Sequence, residues 1–146
     1  MIKLYTIGFT NKSAQEFFML LEQHRIKKII DTRINNTSQL SGFAKGRDLA
    51  FFARRLAKID YEHILDFAPT KEMLSQYRKK EISWDEYRGA YLDLLQSRDI
   101  KRTVAITTLH RGCLLCSEHE PDFCHRRLLA EYLQQLNPEV EIIHLQ

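Results

Sequence analysis

No run of apolar residues in this chain approaches the roughly 20 needed to cross a bilayer, so no membrane span is expected. The N-terminal Met1-Ile2-Lys3-Leu4-Tyr5 is too short and too polar to read as a signal peptide. Cysteine is sparse and odd in number, three in 146 residues, which is a poor framework for disulfides. Glycine and proline number only 5 and 3, and no internal repeat, low-complexity segment or linker breaks the chain. A net charge of +3 is too small to demand a nucleic-acid partner and permits a basic patch. There is no P-loop and no glycine-rich dinucleotide fingerprint. The phosphate cradle of tyrosine phosphatases, cysteine and arginine separated by five residues, is also missing. The sixth residue after Cys116 is Asp122, and the sixth after Cys124 is Ala130. What remains is ordinary globular composition, 44% hydrophobic and 28% charged. It implies one domain over residues 1–146, cytoplasmic, with reduced thiols.

Hydrophobic periodicity supplies the elements. Ile2 to Ile7 is an expected strand ending at Gly8. Ser13-x-x-Glu16 fits a capping box, and Ala14, Phe17, Phe18 and Leu21 then repeat with the period of one helical face. Ile26 to Thr32 is a second strand. Residues 34–46 make a long polar loop, a length that is often functional in a small domain. Asp48 is expected to cap a helix with the face Leu49, Phe52, Ala53 and Leu56. Tyr61 to Leu65 is a third strand. Thr70 opens a helix through Tyr77, and Ser83-x-x-Glu86 caps another with the stripe Trp84, Tyr87, Tyr91 and Leu94. Arg102 to Leu109 has strand propensity in Val104, Ile106 and Thr107. Asp99 as a cap and His110-Arg111 before Gly112 favour helix, which is the reading adopted. Cys113 to Cys116 and Val140 to Leu145 are the last strands.

Strand and helix alternate, so the expected fold is α/β. It is a mainly parallel sheet of about five strands with helices on both faces, a Rossmann-like three-layer sandwich. Ligands in such folds bind outside the carboxyl ends of the strands. Gly8-Phe9-Thr10-Asn11, Asp31-Thr32-Arg33, Asp66-Phe67 and Cys116-Ser117-Glu118 all fall at such ends. Arg33 and Glu118 are therefore expected to meet across one edge.

The densest chemistry lies in residues 113–127, which hold all three cysteines, two histidines and two arginines. With Asp122 as N-cap, Cys124 and His125 would sit in the first turn of the last long helix, among unpaired amides at the positive end of its dipole. That setting suits an anion and lowers a thiol pKa. Arg126 would add a full charge with a planar fork, and its truncation is expected to spare the fold. The structural alternative is a small buried Cys124, with Arg126 paired to Asp122 or Glu118. Cys116 and Glu118, two apart on a strand, share a face. Their alternatives are a thiol with its general base, or a Glu118 ion pair to Arg33 or Arg126. Asp31 either orients Arg33, acts as acid or base, or bonds loop amides. Lys45, Arg47, Lys71, Lys79 and Lys80 are candidates for the rim, Lys45 first among them. A zinc site from Cys113-x2-Cys116-x7-Cys124-His125 is not expected, since Cys113 and Cys116 point to opposite faces and Cys124-His125 is an uncommon ligand pair.

Tyr5-Thr6-Ile7-Gly8, Asp31-Thr32-Arg33, Leu114-Leu115-Cys116-Ser117-Glu118, Pro121 and Cys124-His125-Arg126, in this order, resemble the domain of unknown function 488 family (DUF 488). Gly42-Phe43-Ala44-Lys45, Asp48-Leu49 and Phe67-Ala68-Pro69-Thr70-Lys71 resemble one branch of it. The family's first strand often ends Gly-His-Ser where this chain has Gly8-Phe9-Thr10. The resemblance implies a compact α/β fold and a small intracellular, mostly prokaryotic protein, with no assigned reaction. The residues themselves lead to a small enzyme whose site binds a phosphate-bearing ligand, a nucleotide or nucleic acid. Cys116 or Cys124 would be its nucleophile, Glu118 or Asp31 its acid or base, with His125 beside them, and Arg33, Arg126 and Lys45 its anion holders. The rival readings are a non-catalytic nucleotide or nucleic-acid binding module and a zinc-stabilised interaction domain.

Overall fold

Runs such as Leu4-Tyr5-Thr6-Ile7 and Cys113-Leu114-Leu115-Cys116 carry apolar or small residues on both faces, the pattern of strands covered on both sides. They form β1 (Ile2–Gly8) and β4 (Gly112–Cys116). The remaining strands are β2 (Lys28–Asp31), β3 (Asp60–His63) and β5 (Val140–Leu145). In the computed structural model, which describes residues 1–37, 42–118 and 120–146, they make one sheet of order β3-β2-β4-β1-β5, with every pairing parallel. The all-buried β4 lies at its centre. The more polar Asp60-Tyr61-Glu62-His63 forms an edge.

Helices cover both faces. One face packs α1 (Ala14–Gln23) and α2 (Gly46–Phe52) over Tyr5, Ile7, Ile29, Cys113 and Leu115. The other packs α4 (Trp84–Ser97) and α6 (His125–Leu136) over Leu4, Ile30 and Leu114. Two shorter helices are α3 (Lys71–Arg78) and α5 (Ile100–Thr103). Side chains on successive strand residues go to opposite layers. Leu114 and Leu115 therefore belong to different cores. Burying an aliphatic or aromatic side chain stabilises by about 1.5–3 kcal/mol, so Phe17, Phe18 and Leu21 fasten α1 to its face.

The capping boxes at Ser13 and Ser83 form, and Thr70 caps α3 as its sequence implies. Three expectations change. Lys45, not Asp48, is the N-cap of α2, and Asp48 lies in the first turn. A π turn over Ala53–Ala57 then inserts a residue into the helical register, so Leu56 turns outward and is 64% exposed. The helix expected over Arg102 to Leu109 is split. Asp99 adopts a left-handed conformation without side-chain capping, and Val104 is extended between α5 and a 3-10 turn at Ile106–Leu109. Of the loop expected at 34–46, residues 38–41 lie outside the described residues.

The order of the strands creates the crevice. After β1 and β2 the chain passes to the face of α1 and α2, whereas after β4 it passes to the face of α6. Connections that leave neighbouring strands in opposite directions open a gap at their carboxyl ends. Gly8, Asp31 and Cys116 end these strands, with Gly8 opposite Cys116 and Asp31 opposite Leu115.

Candidate functional site

The crevice holds a cavity of about 220 Å³, with Arg33, Ile34 and Asn35 following β2, and Cys116, Ser117 and Glu118 following β4. Cys124 and His125 enter from the start of α6, and Leu74, Tyr77, Arg78 and Tyr87 from α3 and α4. Arg33 and Glu118, far apart in sequence, thus line one wall system.

Arg33 is held rather than free to swing. It is 4% exposed, and its Nε and Nη2 donate to the two Asp31 oxygens at 2.8 and 2.7 Å. The Arg33 amide donates to the same carboxylate at 3.2 Å. The Tyr61 hydroxyl also donates to Asp31. Asp31 is fully buried and is not a wall of the cavity. Of the roles open to it in the sequence, the geometry matches the one that orients Arg33. The Arg33 guanidinium lies 5.2 Å from the centre of the Phe9 ring. Its Nη1 is buried and has no hydrogen-bond partner among the described residues. A buried guanidinium N–H without an acceptor costs free energy, and an anionic oxygen would relieve that cost.

Thr32 couples the two strands to α6. Its amide and hydroxyl donate to the Leu115 carbonyl at 3.1 and 2.8 Å. The His125 Nε2 lies 3.0 Å from both the Thr32 carbonyl and the Thr32 hydroxyl. A carbonyl can only accept, so Nε2 carries the proton and Nδ1 keeps a lone pair. Burial above all, aided by the charge of Arg126, holds the imidazole pKa down at about 4, against the pull of the Thr32 bond. His125 is therefore neutral near pH 7.

The start of α6 differs from expectation. Cys124, not Asp122, is its N-cap, in extended conformation, and His125 is the first helical residue. Arg126 does not line the cavity and is fully buried. Its guanidinium donates to Thr6 Oγ1 at 3.4 Å, to Cys116 Sγ at 3.2 Å and to the Glu118 carbonyl. It fastens the segment after β4 to the sheet, so its truncation acts on the fold. The same crowding explains Gly8. A Cβ there would collide with the Glu118 carbonyl and come within 2.8 Å of Arg126 Nη1. Burial, mainly, lowers the Arg126 pKa to about 10, which leaves it charged at neutral pH.

The sulfurs of Cys116 and Cys124 meet, paired in disulfide fashion across Cα atoms 7.7 Å apart. This departs from the reading of separate reduced thiols, because the segment after β4 folds back and sets the cap of α6 over the strand end. One ring nitrogen of His125 lies within 4.8 Å of both sulfurs. Cys113 stands apart, buried in the opposite layer, as its odd spacing from Cys116 requires. Burial pushes its thiol pKa far up. Glu118 is exposed at the mouth of the cavity. Lys45 is exposed and lies outside the cavity wall.

Tyr87 reads as part of an apolar helical stripe in sequence and Tyr77 as the end of the preceding helix, yet both wall the site. They stack at 4.9 Å, with Trp84 stacked on Tyr87 and Phe123 edge-on to Trp84. Arg78 had no distinguishing signal, since a basic residue in the last turn of a helix usually serves the dipole.

A family model described as "Domain of unknown function DUF488" matches residues 13–133. The chain belongs to the DUF488 family. The match takes in Asp31, Arg33 and the whole segment from Cys116 to Arg126, so the cavity is built from DUF488 sequence. No curated protein and no solved structure matches the chain. Among the described residues, no helix is long and apolar enough to cross a membrane.

Proposed function

We propose that this DUF488 protein is a small enzyme whose crevice binds a phosphate-bearing ligand, a nucleotide or the end of a nucleic-acid strand. The observation that carries the reading is Arg33, a cavity-lining residue whose buried guanidinium is fixed by Asp31 and whose Nη1 lacks an acceptor among the described residues. A phosphate oxygen is the natural acceptor for a planar, pre-aligned donor. Arg78 supplies a second positive charge on the same wall. Tyr77, half-buried on that wall and backed by the buried Tyr87, offers a ring against which a base can stack, an interaction worth about 1–3 kcal/mol per base.

The floor gives the reading its chemical end. Arg126 donates an N–H to Cys116 Sγ at 3.2 Å, a contact that would support a thiolate there once the Cys116–Cys124 pair is reduced. Glu118, which lines the cavity, would take or give the proton in this reading. The cavity of about 220 Å³ is smaller than the roughly 300 Å³ at the low end of small-molecule clefts, so it takes part of a ligand. The adjoining open groove shares Tyr77, Arg78 and Phe123 and adds Lys80 and Trp84. Its aromatic residues favour the second reading, a binding module for single-stranded nucleic acid without chemistry, while Glu81 and Glu86 offset the charges of Arg78 and Lys80 there.

Calorimetric titration with inorganic phosphate, mononucleotides and short oligonucleotides tests the proposal. Arg33→Met and Arg78→Ala are each expected to weaken binding about tenfold or more, on the ~1.5–3 kcal/mol scale of charged hydrogen bonds. Affinity unchanged in Arg33→Met, or no binding of any of these at millimolar concentration, refutes it. Turnover of a bound ligand separates enzyme from binding module.

A further inference from the structure

The sulfurs of Cys116 and Cys124 and a ring nitrogen of His125 form a buried cluster within 4.8 Å of one another, and all three residues face the cavity. The Cα atoms of Cys116 and Cys124 are 7.7 Å apart, wider than the roughly 4.4–6.8 Å that disulfides ordinarily span. In a tetrahedral zinc site with bonds near 2.3 Å, two sulfurs stand about 3.8 Å apart, so both side chains would rotate to separate the sulfurs once the pair is reduced. The imidazole is prepared for the same task. Nε2–H is spent on the Thr32 carbonyl at 3.0 Å, which leaves Nδ1 as the donor and fixes the ring. Metal-bound histidines almost always give their second N–H to such a partner. Arg126 Nη1 at 3.2 Å from Cys116 Sγ likewise supports a thiolate.

We propose that reduced Cys116 and Cys124, with His125, hold a zinc-type divalent ion at the floor of the crevice. Two thiolates and an imidazole are a soft set that suits zinc, and three protein ligands leave a fourth position open to the cavity. Each thiol releases its proton to solvent as its sulfur binds. The sequence argued against a four-ligand site through Cys113, and Cys113 does lie in the other layer. The fold assembles the smaller site without it. Cys124 is extended and His125 helical, and this change of backbone lets adjacent residues converge on one point. The proposal does not rest on the nucleotide reading, because the ion is bound by the protein alone.

The test uses the full chain, purified under a thiol reductant and loaded with zinc, or with cobalt as a coloured substitute. About one equivalent per chain is expected to survive dialysis. Cobalt protein is expected to show thiolate-to-metal charge transfer. X-ray absorption of the zinc protein is expected to show sulfur at about 2.3 Å and nitrogen at about 2.0–2.1 Å. Cys116→Ser and Cys124→Ser should lose the ion under conditions in which Cys113→Ser keeps it. The absorption measurement needs only wild type, so a variant that fails to fold does not spoil the test. No ion bound by the reduced protein, a shell of oxygen and nitrogen only, or unchanged loading in folded Cys116→Ser overturns the proposal. So does an intact mass showing Cys116 and Cys124 oxidised together despite the reductant.

Discussion

Asp31→Asn is the substitution that most directly probes how the site is built. The Asp31 carboxylate is fully buried and accepts from the Arg33 amide, Nε and Nη2 and from the Tyr61 hydroxyl. Asparagine keeps the shape but has only one accepting oxygen, and its amide nitrogen would face donors. It also leaves the Arg33 charge, 4% exposed, without its counter-ion. Removing one partner of a buried pair costs about 3–5 kcal/mol. Against a total stability of about 5–15 kcal/mol this is large. With an m-value near 2 kcal/mol/M, the urea midpoint should fall by roughly 2 M. Urea unfolding followed by circular dichroism and by Trp84 fluorescence measures it. Asp31→Leu combined with Arg33→Met removes both charges and should recover most of the loss, to within about 2 kcal/mol of wild type. That double variant should still fail to bind phosphate. A single variant within about 1 kcal/mol of wild type, or a double variant no more stable than Asp31→Asn, refutes the account.

Arg126→Met should lower stability by about 1–3 kcal/mol in the same assay, since it removes the fully buried donor to Thr6, Cys116 and the Glu118 carbonyl and leaves those acceptors unsatisfied. A folded, equally stable variant would return Arg126 to the anion-holding role expected from the sequence. Gly8→Ala should cost about 1–3 kcal/mol, because the added Cβ meets the Glu118 backbone rather than a movable side chain. The urea midpoint of that variant checks it. Burial raises the pKa of Tyr87 above its usual range, and Tyr61 is raised by burial and by its bond to Asp31. A folded-state pKa above the unfolded value near 10 gives stability that is intact below pH 10 and declines as pH rises beyond it. Chemical unfolding between pH 9 and 11 should show that decline, and Tyr87→Phe should make it shallower by up to about 1.4 kcal/mol per pH unit above 10.

Much of the fold was legible because period and capping are local properties. Ser13, Thr70 and Ser83 cap where their spacing implies, and Val140–Leu145 is the strand its alternation suggests. Parallel pairing followed from the alternation of strand and helix, and that alone placed Arg33 and Glu118 at one edge. The misses are places where a neighbour distant in sequence decided the outcome. Asp122 is as good an N-cap as any by type, but the fold of the segment after β4 gave that position to Cys124. Leu56 fits an apolar helical stripe until the π turn rotates it outward.

The site divides the same way. The kinds of residue available, a thiol, a carboxylate and an arginine after the strand ends, are written in the sequence. Which of them face one another is not, since a strand end says nothing about what crosses it. Only the sheet order set Arg33 in the wall and drew Arg126 into the core. Only packing turned Tyr87 from core stripe to cavity wall and brought Tyr77 beside it. Local preferences are short-range free energies that a sequence carries by itself. Convergence of side chains depends on the relative placement of elements, which the whole buried core settles at once.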